Sequence, residues 1–339
     1  MYSFTNDYSE GAHPQILKAL METNLIQHTG YGMDEEHCGR ARDLIRKEIG
    51  REDAAVHFLV GGTQVNLTVI AAALRPHEAV ICASTGHINV HETGAVEATG
   101  HKVLTLPSPD GKVTPAMVQE ILDAHPDEHM VKPKMVYISN TTEIGTQYTK
   151  AELEALSHIC RRNGLFLFLD GARLGAALTS SANDLTMADI AALTDVFYIG
   201  GTKNGALFGE AVVILNPVLD EDFRYMIKQR GGMLAKGWLL GIQFETLFTD
   251  GLFYEMASHA TAMADKLRKG LEEKGVSFYS QSVSNQLFPI FSDETIARLS
   301  KDFSFNIQAR MDESHQAIRL VTSWATKEEA VDAILAALD

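Results

Sequence analysis

Four kinds of residue that can do covalent or acid–base chemistry follow directly after apolar runs in this sequence. The stretch FYIGGTKNGALFG places Lys203 between an apolar run and a glycine-rich turn, with no acidic residue inside it. Asp170 ends the run LFLFLD, His87 follows VICAST, and a Gly-Gly-Thr turn at 61–63 follows VHFLV. In an open parallel sheet, ligands bind beyond the carboxyl ends of the strands. We therefore expect these four places to converge on one site.

Each of these residues also has a purely structural interpretation. The turn at 61–63 is explained by Thr63 acting as a helix N-cap, and Asp170 by capping of the following GARLGAAL segment. A single histidine such as His87 is more often structural than catalytic, and most lysines, Lys203 included, point to solvent. The turn fits neither the Walker pattern nor GxGxxG. Taken alone, each residue leaves both interpretations open.

One chemistry requires the whole set of residues. A buried lysine with a lowered pKa forms a Schiff base with an aldehyde cofactor, and an aspartate stabilises a protonated ring nitrogen. A glycine turn at a helix N-terminus holds a phosphate group. These are the requirements of pyridoxal 5'-phosphate, so the sequence predicts that cofactor. Lys203 then has no charged neighbour because its partner is covalent.

The elements that must position these residues follow an alternating pattern. Short apolar runs, including AAVHFLV at 54–60, DVFYIG at 195–200 and AVVIL at 211–215, alternate with helical patterns. Several runs are continuously apolar, as expected for strands covered on both faces. A crossover helix is indicated in TKAELEALSHICRRNG by the N-cap candidate Thr149 and by Glu152 three residues later. The pattern predicts an α/β fold, with a mostly parallel sheet and helices on both faces.

The pattern of predicted helices and strands changes after about residue 240. A long helical pattern at about 239–274 precedes VSFYS, NQLFPIF, TIARLSKDF, AIRLVTSW and TKEEAVDAILAALD. The order strand, strand, helix, strand, helix is typical of a small α+β domain. We therefore predict a large cofactor-binding domain with the N-terminal segment at 1–240 and a small C-terminal domain at 241–339. No low-complexity linker separates them, so a shared interface is expected.

Composition argues against several classes of function. The chain has 29 Lys and Arg against 44 Asp and Glu, a net charge of −15, which argues against nucleic-acid or anionic-membrane partners. Cys38, Cys82 and Cys160 are widely spaced and form no CxxC pair, so neither a disulfide framework nor a metal site is expected. No apolar run has the length of a membrane span, and MYSFTNDYSEGAH lacks a signal-peptide pattern. We expect a cytoplasmic location.

Five segments together resemble a known family. In order they are VGGTQVNL, GHINVHETG, LDGARLGAAL, GGTKNGALFGEAV and AIRLVTSW. This combination resembles the low-specificity threonine aldolase and beta-eliminating lyase family of fold type I, the aspartate aminotransferase-like pyridoxal-phosphate enzymes. The resemblance implies a lyase that cleaves a β-hydroxy-α-amino acid, such as threonine, into glycine and an aldehyde. It also implies a homodimer or homotetramer with sites at the subunit interface.

The resemblance assigns roles around the cofactor. Lys203 would bind it covalently, Asp170 would face the ring nitrogen, and His87 would stack on the ring near the substrate hydroxyl. These three would be the catalytic residues. The phosphate would be held by Gly62, Thr63 and Thr202.

The resemblance also assigns roles around the substrate. Arg173, which lies near the cofactor as well, and Arg319 would bind the substrate carboxylate, since a guanidinium fork suits two oxygens. Tyr31 would reach the site from a partner subunit. Relatives often have a histidine where this chain has Thr142 in SNTTEIGT. A threonine hydroxyl has too high a pKa to act as the base, which leaves His87 or a water that it positions.

Other functions fit the same residues. A pyridoxal site of this kind also supports β-elimination from serine-like amino acids, or cleavage of phenylserine-type substrates. From a different class, a non-catalytic pyridoxal-binding regulator or a nucleotide-binding protein remains an alternative. The sequence contains neither a basic DNA-binding patch nor a dinucleotide fingerprint. Of the first residues, Asn6, Asp7 and Ser9 align only loosely with a substrate-binding segment.

Overall fold

The computed structural model describes residues 1–33 and 35–338, and its largest feature is a seven-stranded sheet. The strands run in the order β2-β8-β7-β6-β5-β3-β4. They are β2 (Ala55–Leu59), β3 (Glu78–Ala83), β4 (Lys102–Leu106), β5 (Lys132–Ser139), β6 (Phe166–Asp170), β7 (Val196–Gly200) and β8 (Glu210–Ile214). All neighbours pair in parallel except β8, which is antiparallel to both β7 and β2. The prediction of a mostly parallel sheet is confirmed.

Helices cover both faces of this sheet, as predicted. They include α1 (Pro14–Thr23), a π-helix (Glu35–Gly39), α2 (Arg40–Ile49), α3 (Gly62–Ala73), α4 (His87–Val90), α5 (Pro115–Ala124), α6 (Lys150–Arg162), α7 (Leu174–Thr179), α8 (Met187–Leu193), α9 (Phe223–Gln229), α10 (Trp238–Phe248) and α11 (Leu252–Glu273). Side chains alternate between two cores along β3: Val80 packs with α3 and α9, and Ile81 packs with the helices of the other face. In the part of the chain that is described, no helix is long and apolar enough to cross a membrane.

Local capping signals account for some helix boundaries. The predicted crossover helix is α6, and Thr149 and Glu152 form the expected capping box at its start. The prediction of one long helical segment at about 239–274 is wrong, because α10 and α11 are two separate helices. Asp250 and Gly251 between them adopt positive φ angles of 53° and 77°, which end one helix and redirect the chain into the next.

The C-terminal part forms a small α+β unit. Its elements are β9 (Gln286–Leu287), β10 (Ile290–Ser292), α12 (Asp293–Leu299), β11 (Phe303–Ser304), β12 (Asn306–Arg310), β13 (His315–Val321) and α13 (Glu328–Ala336). The N-terminal strand β1 (Tyr2–Ser3) pairs with β11, and Phe4 is buried in the same small core. Helix α11 contributes Phe253 to the large core and Leu267 to the small one. The division at residue 240 stays a prediction, and this packing favours a boundary within α11.

Candidate active site

A pocket of about 300 Å³ lies beyond the carboxyl ends of β2, β6 and β7. Six of the ten predicted site residues line it: Gly62, Thr63, His87, Asp170, Thr202 and Lys203. The other polar or aromatic side chains in the wall include Tyr8, Glu143, Tyr198 and Glu210. The sheet positions the six predicted residues because parallel strands end at one edge, and each of the six lies at a strand end, in the turn after it or at the start of the next helix.

Lys203 lies in the turn that follows β7 and is half-buried in the pocket wall. Within residues 1–33 and 35–338, its amine makes neither a hydrogen bond nor an ion pair. Burial lowers the pKa of Lys203, and the positive charge of Arg173 lowers it further. A larger fraction of the amine is therefore neutral and nucleophilic than at an exposed lysine.

Asp170 ends β6 and is held by four donors. Tyr137 from β5 and the Asn66 amide, at 3.2 Å, donate to Oδ2. Tyr198 from β7 donates to Oδ1 at 2.6 Å, as does the backbone amide of Ala172 at 3.0 Å. Burial, followed by the charge of Asp170, raises the pKa of both tyrosines well above the usual value, so both remain donors. The carboxylate is thus fixed in orientation at the pocket wall.

His87 is linked to Asp170 through two buried side chains. Its Nδ1 lies 2.7 Å from Glu92 Oε1, and the same oxygen accepts a hydrogen bond from the Asn66 amide at 2.7 Å. A carboxylate at Nδ1 favours the tautomer with the proton there, which leaves Nε2 as an acceptor. Burial lowers the pKa of His87, but the Glu92 hydrogen bond and the charges of Glu143 and Asp170 outweigh it, and the pKa is raised.

The start of helix α3 offers an anion site at the same pocket. Gly61 is the N-cap, and Gly62 and Thr63 open the helix. Backbone amides in a first turn have no intrahelical acceptor, and the helix dipole favours negative charge there. A Cβ atom on Gly62 would come within 2.9 Å of Tyr198 Oη, so glycine allows this turn to approach β7 closely.

Arg173 is engaged by a carboxylate of its own chain. Its Nε and Nη2 donate to Asp7 at 2.8 and 3.1 Å, and Asn285 donates to the same carboxylate at 3.0 Å. Burial acts to raise the pKa of Asp7, but Arg173 and Lys203 outweigh it and hold the pKa below its usual value. Arg319 is half-buried on β13, and its Nη2 donates to the Thr5 carbonyl at 3.4 Å. Its Nε is buried and has no hydrogen-bond partner in the described part of the chain. A carboxylate ligand would satisfy that Nε.

Four predicted residues lie outside the pocket wall: Arg173 and Arg319, described above, and Thr142 and Tyr31. Thr142 is buried, and its hydroxyl is within 2.7 Å of the Thr146 hydroxyl, which leaves Glu143 as the wall residue from this loop. Tyr31 is 48% exposed and lies beside Lys228, whose amine is 5.0 Å from the ring centroid. In its own chain, Tyr31 therefore contributes nothing to the pocket around Lys203.

Several side chains around the pocket were not identified from the sequence. Tyr137 and Tyr198 lie inside apolar runs, and each stands two residues before the end of a strand that flanks β6. Glu92 lies in the histidine-rich stretch, five residues after His87. This short spacing could have indicated Glu92 as a carboxylate partner of His87. Glu210 had a weaker signal, a lone acid at the start of an apolar run.

Three side chains of types that can bind a metal ion cluster away from this pocket. Ligand atoms of His28, Glu36 and His37 are within 4.8 Å of one another. Arg40 Nη2 is 3.2 Å from His37 Nδ1, and Glu245 Oε2 is 2.6 Å from the same atom. The guanidinium charge opposes a cation at this position. The cluster is therefore better described as part of a contact in which His37 and Arg40 bind Glu245 of helix α10.

Solved structures define the fold class. An aspartate aminotransferase of Thermus thermophilus aligns with a TM-score of 0.72, over 100% of this chain and 91% of that one. At 16% identity this likeness concerns the fold alone. The fold, together with a lysine and an aspartate at neighbouring strand ends, defines a fold type I enzyme, a class that uses pyridoxal phosphate.

The chain belongs to the beta-eliminating lyase family, whose sequence pattern it matches over residues 9–294. Low specificity L-threonine aldolases of Pseudomonas sp. (strain NCIMB 10558) and Pseudomonas aeruginosa are 33% and 32% identical, each over 97% of this chain and 94% of the relative. A threonine aldolase structure of Leishmania major is 54% identical with a TM-score of 0.98, and covers 100% of this chain and 98% of that one. The resemblance found from the sequence is confirmed.

Proposed function

We propose that this protein is a pyridoxal-phosphate-dependent aldolase that cleaves a β-hydroxy-α-amino acid of the threonine type into glycine and an aldehyde. The main support is the amine of Lys203, without a hydrogen bond among the described residues, in a pocket that also contains Asp170 and His87. The names of the 33% identical Pseudomonas relative and the 54% identical Leishmania structure support the same activity.

The residues present fit the cofactor. The pocket volume of about 300 Å³ suits a small aromatic ring with a phosphate. Lys203 would hold its aldehyde carbon, Asp170 its ring nitrogen, and the first turn of α3 with Thr202 its phosphate. When bound, pyridoxal phosphate supplies an electron-accepting ring that stabilises the negative charge left on Cα as the Cα–Cβ bond breaks.

The proposed base is His87. Glu92 keeps the proton on Nδ1, so Nε2 is the atom that accepts the proton of the substrate β-hydroxyl. His87 is neutral above its raised pKa, so activity is expected to increase as pH rises through that pKa. Glu143 is the next candidate, since its side chain lines the same pocket. The Thr142 hydroxyl is already bonded, which suits an indirect role in shaping the loop.

Arg173 and Arg319 are the proposed carboxylate ligands. Asp7 already occupies Nε and Nη2 of Arg173, so the substrate carboxylate approaches the remaining guanidinium edge or displaces Asp7. Burial lowers the pKa of Arg319, and the charge of Arg173 adds to this effect. Two neighbouring guanidinium groups repel each other, and a bound carboxylate relieves that repulsion.

The active form is proposed to be an oligomer in the cytoplasm. Several large apolar side chains of the N-terminal region are exposed in the single chain: Met21, Leu25, Ile26, Tyr31 and Met33. Such a patch is typical of a subunit interface. Cys38, Cys82 and Cys160 are buried thiols, which a reducing compartment preserves.

A parallel product assay tests the reaction. Purified protein is incubated with threonine, allo-threonine, phenylserine and serine, and aldehyde, glycine and keto acid are measured together. Aldehyde and glycine in equal amounts support the aldolase. Keto acid with ammonia from serine would instead identify a β-eliminating lyase.

Borohydride reduction tests the cofactor assignment. We expect reduction to attach the cofactor to the peptide that contains Lys203, and the Lys203→Ala protein to be inactive. Attachment at another lysine would contradict the assignment, and absence of any bound cofactor would contradict the proposed function.

A further inference from the structure

Glu210 is a buried carboxyl group beside the expected phosphate position. It begins β8 and pairs in register with Leu59 of β2, the strand that leads into the Gly61–Thr63 turn. Its side chain is 4% exposed and lines the same pocket as that turn and Thr202. No role for Glu210 follows from the proposed mechanism.

The Thr202 hydroxyl connects Glu210 to the pocket. Thr202 Oγ1 lies 2.8 Å from Glu210 Oε1 and accepts a hydrogen bond from the Gly209 amide at 3.0 Å. The other carboxyl oxygen of Glu210 accepts the Gly201 amide at 3.1 Å. A hydroxyl has one hydrogen to donate and two lone pairs with which to accept. If Glu210 is ionised, that single hydrogen points toward the carboxylate and away from any ligand.

We propose that Glu210 is protonated when the cofactor phosphate is bound, and that it donates its hydrogen to Thr202 Oγ1, which turns the Thr202 hydroxyl toward the phosphate. The hydroxyl then accepts from Gly209 and Glu210 and donates to the phosphate, so its full capacity is used. This inference rests on the proposed function, because it requires pyridoxal phosphate in the pocket. Glu210 is a positioning residue, since it acts through Thr202.

The surroundings of Glu210 favour the protonated form of its carboxyl group. Burial raises the pKa of Glu210 to about 8, opposed by the Thr202 hydrogen bond and by the positive charge of Lys203. The negative charge of Asp170 on β6 also raises the pKa of Glu210. The Tyr198 hydroxyl on β7 is neutral, because its own pKa is raised well above the usual value. An added phosphate dianion favours the protonated form further, since two adjacent anions in a buried site disfavour each other.

Above pH 8, cofactor binding is then coupled to the uptake of a proton by Glu210. Binding raises the pKa of Glu210, so the bound form is favoured at low pH. Affinity is constant below the unbound pKa of about 8 and falls as pH rises through that value. The loss is about tenfold in Kd per pH unit for one proton.

The test measures Kd of the cofactor-free protein for pyridoxal phosphate by fluorescence between pH 7 and 9.5. Glu210→Gln is the informative variant, because its amide nitrogen donates to Thr202 and its oxygen accepts from Gly201 at every pH. We expect the variant to bind with a flatter pH dependence, and about 30-fold more tightly than the native protein at pH 9.5. Pyridoxal, which lacks the phosphate, serves as the ligand control, and with it the two proteins should show the same pH dependence.

Calorimetric titration in two buffers of different ionisation enthalpy counts the protons directly. At pH 8.5 the native protein should take up more protons on binding pyridoxal phosphate than Glu210→Gln does. Equal proton uptake and equal pH slopes in the two proteins would overturn the inference while leaving the proposed function intact. If the variant does not fold, the two ligands are compared on the native protein alone, because both bind Lys203 and only pyridoxal phosphate carries the phosphate. A slope no steeper with pyridoxal phosphate than with pyridoxal would overturn the inference.

Discussion

His87, Glu92, Asn66 and Asp170 form one connected hydrogen-bond network. Its two ends touch the pocket, where His87 offers an acceptor nitrogen and Asp170 a fixed carboxylate. The middle of the network is buried, and among residues 1–33 and 35–338 the other carboxyl oxygen of Glu92 finds no hydrogen-bond partner. The charge of Asp170 also contributes to raising the pKa of His87. The base and the residue expected at the ring nitrogen are therefore electrostatically coupled.

The first prediction concerns His87 as the base. His87→Phe keeps an aromatic face at the pocket but removes the proton acceptor, so we expect kcat to fall by about 10²- to 10⁴-fold. The His87→Phe protein should still bind the cofactor and retain the absorbance of the bound cofactor. Thr142→Ala is the comparison, and should have a smaller effect because the hydroxyl of Thr142 is bonded to Thr146. Steady-state kinetics on both variants provide the measurement, and a larger loss in Thr142→Ala would place the base elsewhere.

The second prediction concerns the pH profile of kcat/KM. The pKa of His87 is raised by Glu92, Glu143 and Asp170 against the lowering effect of burial. We therefore expect activity to rise with pH through a midpoint above 6.5, the unperturbed value of histidine. Glu92→Gln removes one raising contribution, so the midpoint should move to lower pH. An unchanged midpoint in this variant would show that another group controls the profile.

At the scale of elements, the spacing between strands β6 and β7 depends on glycine. A Cβ atom on Gly171 would overlap the carbonyl oxygen of Tyr198, and one on Gly200 would overlap the Ala172 carbonyl. The turn after Asp170 can therefore lie against β7 only without side chains at these positions. This close approach brings the Tyr198 hydroxyl onto Asp170.

The third prediction follows from that contact. Gly171→Ala should lower the free energy of unfolding by about 1–3 kcal/mol, since overpacking forces the backbone apart. It should also lower kcat, because Asp170 and Tyr198 shift together. Gly11→Ala is the matched control, since a Cβ atom there meets no atom of the described residues within 4 Å. Chemical denaturation and kinetics test both variants, and equal behaviour would remove the proposed role of the close approach.

Much of this arrangement was predictable from local sequence. Asp170, His87 and Lys203 follow apolar runs, and parallel strands end at one edge, so their convergence follows from the pattern. The capping box at Thr149 and Glu152 depends only on residues three apart. The partners of Asp170 were not predictable in the same way. Contacts such as those of Tyr137 and Tyr198 depend on which strands become neighbours, and apolar runs do not specify strand order.

The N-terminal segment shows the same limit at longer range. Asp7 is separated by 166 positions from Arg173, with which it forms two hydrogen bonds. Its position follows from the pairing of β1 with β11 in the small unit. The segment therefore connects the small unit to the pocket edge of the large sheet. No periodicity within residues 1–13 indicates such a contact.

The fourth prediction concerns the stability of the whole molecule. Asp7→Asn should reduce the free energy of unfolding by about 3–5 kcal/mol, because it leaves the Arg173 charge buried without its partner. The folded pKa of Asp7 is below 3.8, so this contribution is fully present above pH 3.8 and is lost as pH falls through the folded pKa. Asp53→Asn is the control, since its pair with Arg51 is on the surface and should contribute little. Denaturation curves at several pH values test the difference, which should stay constant from pH 5 to 8.

The last prediction concerns Tyr31 and the proposed oligomer. Tyr31 lies outside the pocket of its own chain, on a surface rich in exposed apolar side chains, so any role in the site requires a second subunit. In a twofold dimer, a chain with Lys203→Ala supplies Tyr31 to a partner with Tyr31→Ala, and that partner contributes an intact Lys203. Co-expressing the two variants should therefore restore activity to about one-quarter of the sites, because half of the dimers are mixed and each has one complete site. Activity no greater than the sum of the separate variants would show that Tyr31 does not act across the interface, and sedimentation of the mixed sample would establish whether mixed dimers had formed.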